Sequence, residues 1–284
     1  MVAIAASLLG AAFFAASGFA IYRSASRDQA VLVYYVQFFL SGIIAIVIAA
    51  LCGVHIALSA SAVVLGILLL TGNLLLSSSY GRGPSVATAI SISFASVLAI
   101  IFGAVVLGDT ISLKGWLGVL LLIAAVVAAG VTSTKQPSER GSLWLILVAA
   151  TCVLLAARAV LLSWRLTTSD DVASLVLVAY SVAAVAALVS LFLAQGRRGT
   201  APLTAALKPS LSALLAGALS LLGLMCFGFA LRTGEVIVAN AIFGVYPALT
   251  VFAIALDSRS FDPMKVAAVS LAIAGIVLLA LRSL

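Results

Sequence analysis

The chain has 284 residues, of which 65% are hydrophobic and 8% charged, with a mean hydropathy of +1.35. Soluble domains carry about 25% charged residues, so this composition excludes a soluble globular protein and describes an integral membrane protein. The net charge of +7 does not point to nucleic acid, because Lys and Arg stand singly or in pairs between apolar runs, where membrane topology accounts for them. Cys52, Cys152 and Cys226 form no CxxC or disulfide framework, and His55 has no second ligand beside it, so neither a metal nor a cofactor is expected.

In chain order, the first apolar run, 3–22, has no Lys or Arg before it and is followed by Arg23 and Arg27, which reads as a retained first helix and not a signal peptide. Nine further segments follow at 31–51, 59–79, 84–106, 112–131, 142–163, 172–194, 211–231, 234–256 and 262–281. Each is about twenty residues long, enough for a helix to cross a bilayer. The runs are uniformly apolar and do not alternate, so backbone groups must be satisfied within helices and a β-barrel is excluded. The polar stretches "STKQPSERGS" (133–142) and "QGRRGTAPLTAALKP" (195–209) interrupt the pattern, and the first divides the segments five and five. The expected organisation is therefore a first five-helix repeat over 1–134, a linker over 135–141 and a second five-helix repeat over 142–284.

An odd number of spans in each half makes the halves insert in opposite senses, so the fold expected is all-α with ten transmembrane helices as two inverted repeats. An offset of 150 superposes Arg82 on Arg232, Val86 on Val236, Phe102 on Phe252 and Ala124 on Ala274. Loops after the odd-numbered helices hold Arg23, Arg27, Arg82, Lys135, Arg140, Arg197, Arg198, Lys208, Arg259 and Lys265, against Lys114, Arg165, Arg232 and Arg282 opposite, which assigns the first set to the cytoplasm and both termini to the other side.

The stretch "GPSVATAISISFASVLAIIFGAVVLGDTISLKGWLG" at 83–118, within a five-plus-five arrangement, resembles the EamA-type branch of the drug/metabolite transporter superfamily. Gly108, Asp109, Thr110, Ile111 and Ser112 fit the family's Gly-acid-x-apolar-Ser junction; Ser258, Arg259, Ser260, Phe261 and Asp262 depart from it in the second half. Pro247 matches a mid-helix proline, while its counterpart at the 150 offset is Val97. The resemblance implies a solute transporter whose central cavity is lined by the first, third and fourth helices of each repeat, in a bacterial-type inner membrane. Its partners would be a small-molecule solute and the lipid bilayer, with a single chain as the working unit.

Within "ATCVLLAARAVLLSWRL" (150–166), Arg158 carries a charge that cannot be shed. Its head either snorkels to the interface from about 8 to 10 Å inside the helix end or faces the cavity and holds a substrate carboxylate or phosphate. Asn73, Ser77 and Tyr80 fall on one face of the third helix, and Asn240, Phe243 and Tyr246 follow at three-residue steps in the ninth. These six join Arg158 as candidate substrate-binding residues; gluing of helices by polar side chains is the competing account. Arg82, Arg232 and Glu235 are the gate or coupling candidates, set against topology markers and a helix-dipole stabiliser.

All eight acids lie in loops or at segment ends. Small multidrug resistance proteins, distant relatives in the superfamily, use an intramembrane glutamate in the first helix, which this chain lacks. The function expected is export of small metabolites, amino acids with apolar or aromatic side chains foremost, by alternating access. Efflux of drugs, cations or other metabolites is the alternative, and a non-transporting scaffold a remote one. An enzyme is not expected, since the spans contain no nucleophile with its base and no metal cluster.

Overall fold

The computed structural model describes residues 2–24, 30–54, 58–80, 82, 85–108, 112–132, 142–168, 171–198, 211–233, 236–258 and 263–280. Among them the chain is all-helical: α1 (Val2–Ser24), α2 (Ala30–Cys52), α3 (Ala60–Tyr80), α4 (Ser85–Leu107), α5 (Leu113–Thr132), α6 (Ser142–Thr168), α7 (Val172–Arg198), α8 (Leu211–Thr233), α9 (Val236–Phe243), α10 (Tyr246–Ser258) and α11 (Pro263–Ala280). Seven stretches are long and apolar enough to cross a membrane: Val2–Ala20, Tyr35–Cys52, Ala60–Ser79, Leu143–Leu166, Val172–Leu193, Ala213–Thr233 and Val238–Asp257. Helices α4, α5 and α11 carry shorter apolar stretches, Ile92–Gly103, Leu113–Ala125 and Val266–Leu278.

Helix ends follow local chemistry. Ser59 caps α3 by accepting from the Ala62 N–H at 3.2 Å, and Asp171 caps α7 by accepting from the Ser174 N–H at 3.1 Å. Gly108 closes α4 at φ +75°, a left-handed conformation that favours glycine, and Ser112 opens α5 by accepting from the Gly115 N–H at 3.2 Å. The Gly108-to-Ser112 stretch thus stops one helix and starts the next; Asp109, Thr110 and Ile111 lie outside the described residues.

Three boundaries differ from the sequence reading, the first being α7, which runs past 194 to Arg198, so that Arg197 and Arg198 end a helix and do not stand in a loop. Helix α6 runs on to Thr168, past Trp164 and Arg165, because Trp and Arg are compatible with helix and the Arg165 guanidinium sits 5.6 Å over the Trp164 ring. The ninth segment is two helices, α9 and α10, joined by Gly244 and Val245. Pro247 has no N–H for the Phe243 carbonyl, so the helical ladder is interrupted there. Gly244 also lies where a Cβ would meet the Ser96 side chain of α4, which leaves room for no larger residue at the joint.

The helices of the two halves of the chain interleave. Helix α1 packs on α8, α3 on α6 and α7, α2 on α7 and α8, α5 on α11, and α4 on α6 with α9 and α10. At the α1–α8 crossing a Cβ on Gly10 would lie 3.0 Å from the Gly223 carbonyl, and one on Gly223 would strike the Phe14 ring, so the backbones meet almost directly. The main core gathers Phe14, Phe38, Leu65, Leu69, Leu162, Val176, Tyr180, Leu221, Leu224, Phe227 and Phe243 from seven helices.

Candidate functional site

Arg158 stands ten residues before the end of α6 and sixteen after its start, about 15 and 24 Å along the axis. Its position is therefore deeper than a helix ending near Trp164 would give. The side chain is 3% exposed, the one charged side chain among the buried described residues, so its head does not reach an interface. The Nε and Nη1 atoms have no hydrogen-bond partner. Together they carry three of the five guanidinium N–H donors. The titratable groups that bear electrostatically on Arg158 are Tyr246 and Tyr180, both phenols.

This guanidinium abuts an aromatic cluster through Phe14. Its Cζ lies 5.6 Å from the centre of the Phe14 ring, and Phe14 in turn meets Phe243 edge-on at 5.1 Å and Tyr246 at 5.5 Å. Phe243 stacks on Phe227 at 4.1 Å and touches Tyr246 at 5.3 Å. A cation over a ring face is attracted by the ring quadrupole, which offsets part of what Arg158 loses by leaving water, but rings accept none of its N–H bonds. Tyr180, fully buried, shares a 2.6 Å hydrogen bond with Ser220 and stacks on Phe38. The α9–α10 break brings Phe243 and Tyr246 to the centre, since each ends or begins a helix at the joint.

The structure brings Arg158, Phe243 and Tyr246 into one cluster. Asn240 is 6% exposed and donates from Nδ2 to the Val236 carbonyl at 2.9 Å and to Ser163 Oγ of α6 at 3.4 Å, tying α9 to α6 five residues beyond Arg158. The three-residue face read for Asn240, Phe243 and Tyr246 does not exist as one surface, because the helix breaks between the last two. Asn73 is half-buried and turns its amide back on the Leu69 carbonyl at 2.7 Å. Ser77 is 1% exposed with no partner for its hydroxyl. The side chain of Tyr80 and all of Glu235 lie outside the described residues.

Arg82 is exposed just beyond α3. Arg232, also exposed, forms a 3.3 Å ion pair with Asp171, joining the end of α8 to the cap of α7. Phe14 and Phe227 escaped the sequence reading because a Phe in an apolar run carries no local signal. A separate apolar groove of about 330 Å³, lined by Phe102, Ala157, Val160, Leu161 and Trp164, lies on the outer face between α4 and α6 and offers a solute no polar contact.

These features define a polytopic membrane protein with a charged, aromatic-walled centre. The sequence profile of the EamA-like transporter family matches residues 1–131, a similarity in line with the resemblance read from the sequence. The family so matched is one of membrane transporters. A solved crystal structure aligns over 99% of this chain and 99% of its own, with a TM-score of 0.74 and 16% identity, a likeness of fold. Among curated proteins no sequence matches.

Proposed function

We propose that the chain is a secondary carrier or facilitator in a bacterial-type inner membrane, working as a single chain by alternating access. Its solutes are small metabolites with an apolar body and an anionic or zwitterionic head, and export of amino acids with apolar or aromatic side chains is the specific reading. The single observation that carries it is Arg158, buried at mid-helix with unpartnered donors and with its guanidinium over Phe14, which in turn packs on Phe243 and Tyr246. Membrane interiors tolerate such a charge where it meets a solute or a pathway.

The repeats are part of the proposal: 1–134 and 142–284, inverted and joined by 135–141, with the ten spans α1 to α8, α9 with α10, and α11. A two-fold axis relating α1 to α6, α2 to α7, α3 to α8, α4 to α9 with α10, and α5 to α11 would exchange the α1–α8 pair with α6–α3. It would map α2–α7 and α5–α11 onto themselves, and the packing follows that scheme. Rocking one repeat on the other around a fixed midplane site is the motion such symmetry allows.

In this reading Arg158, Phe243 and Tyr246 contact the solute, Asn240 holds α9 against α6, and Asn73, Ser77 and Tyr80 line the approach from α3. Arg82, Arg232 and Glu235 act at the mouths. The test is uptake of radiolabelled leucine and phenylalanine by proteoliposomes containing the full chain. Saturable uptake above that of empty liposomes, lost in Arg158→Ala at equal protein incorporation, is expected. Uptake of lipophilic cations alone would replace this reading with efflux of cationic compounds.

A further inference from the structure

The charge balance at the centre sharpens the substrate class, an inference that rests on the carrier reading above. Arg158 brings a fixed positive charge. Its titratable neighbours, Tyr246 and Tyr180, are neutral phenols near neutral pH, and the Tyr180 hydroxyl is already engaged with Ser220. Of the eight acids of the chain, two fall among the described residues, Asp171 just before α7 and Asp257 next to last in α10, and neither bears electrostatically on Arg158. Among the described residues, therefore, the centre holds one cation with no carboxylate to match it.

A zwitterionic solute bound there would pair its carboxylate with Arg158 yet leave the centre at one net positive charge, with an ammonium brought close to the guanidinium. A monoanion would leave it neutral. In a low-dielectric, buried site an unmatched charge is strongly disfavoured, whereas a hydrogen-bonded ion pair satisfies both partners. The three unpartnered N–H groups on Nε and Nη1 are donors suited to carboxylate oxygens. The rings of Phe14, Phe227 and Phe243 provide the apolar wall and offer an extra carboxylate no cation, Tyr246 adding one neutral hydroxyl.

We propose that the Arg158 centre selects monoanionic carboxylic acids with an apolar or aromatic body, in preference to the zwitterionic amino acids of the same skeleton, to dicarboxylates and to amines. Recognition is by one carboxylate on the guanidinium, with the body against the rings.

The experiment uses three compounds of one skeleton, 3-phenylpropionate, phenylalanine and phenethylamine, with the full chain in detergent near neutral pH and the melting temperature as readout. A ligand bound by the native state alone raises that temperature. The expected order is 3-phenylpropionate above phenylalanine, with an affinity gap of at least about tenfold, and no shift with phenethylamine. In Arg158→Gln the 3-phenylpropionate shift disappears, which separates binding at the site from partition into the micelle. Should that variant fail to fold, Arg158→Lys, which keeps the charge and loses the planar fork, is expected to retain the order with weaker shifts. Phenylalanine binding as tightly as 3-phenylpropionate, with both lost in Arg158→Gln, would overturn the charge rule and leave the amino acid carrier standing. A 3-phenylpropionate shift that persists in Arg158→Gln overturns the assigned site. Failure of all three compounds to bind, joined by absence of leucine and phenylalanine uptake, overturns both readings.

Discussion

Arg158 sits where an apolar residue of similar volume would be the more stable choice, since its unpartnered donors and buried charge are uncompensated in the ligand-free fold. Arg158→Met is accordingly expected to stabilise the ligand-free protein by on the order of 1–4 kcal/mol, read from its thermal or denaturant midpoint, while abolishing transport. A less stable Arg158→Met would mean that the cation over Phe14 outweighs burial. At this scale the sequence exposed the charge and concealed its company. An arginine among alanines and leucines is conspicuous, whereas Phe14 and Phe227 look like any other apolar residue until helices α1 and α8 cross. Asn73 was conspicuous too, yet its amide is spent on the Leu69 carbonyl, a local bond that spacing alone does not reveal.

At the level of elements, the joints carry the specificity of the sequence. Ser112 accepts from Gly115 at the start of α5, so Ser112→Ala is expected to lower stability by about 1 kcal/mol, with little effect on transport per folded molecule. The α9–α10 break is different, because it positions Phe243 and Tyr246 beside Arg158 through Phe14. Pro247→Ala restores an N–H opposite the Phe243 carbonyl and favours a continuous helix. Wild-type folded yield with slower flux at equal incorporation is the expected result, and undiminished flux would separate the break from transport. Segment existence was readable from apolar length. The break was not, because a proline inside an apolar run marks a kink, a break or a helix start alike, and the choice depended on Gly244 meeting Ser96 of α4.

Across the whole molecule, the interleaved packing of α1 on α8 and α3 on α6 makes each half incomplete alone. Phe102 and Phe252, paired at the 150 offset, are 39% and 50% exposed. Parity makes the arrangement testable. If, as proposed, each repeat has five spans, a reporter inserted within 135–141 and one fused after Leu284 report opposite sides of the membrane. Reporters on the same side would contradict the repeats. Segment counting made the multi-pass helical outline legible, but which helices would touch was not, since every span offers a similarly apolar face and small residues such as Gly10 and Gly223 select the crossings.

The most direct test of the central claim, that Arg158 forms the solute site, is carrier flux in proteoliposomes with wild type and Arg158→Gln at equal density. Wild type should take up labelled phenylalanine and 3-phenylpropionate faster than empty liposomes leak them, and Arg158→Gln should match the leak. Equal flux through wild type and Arg158→Gln would contradict the account.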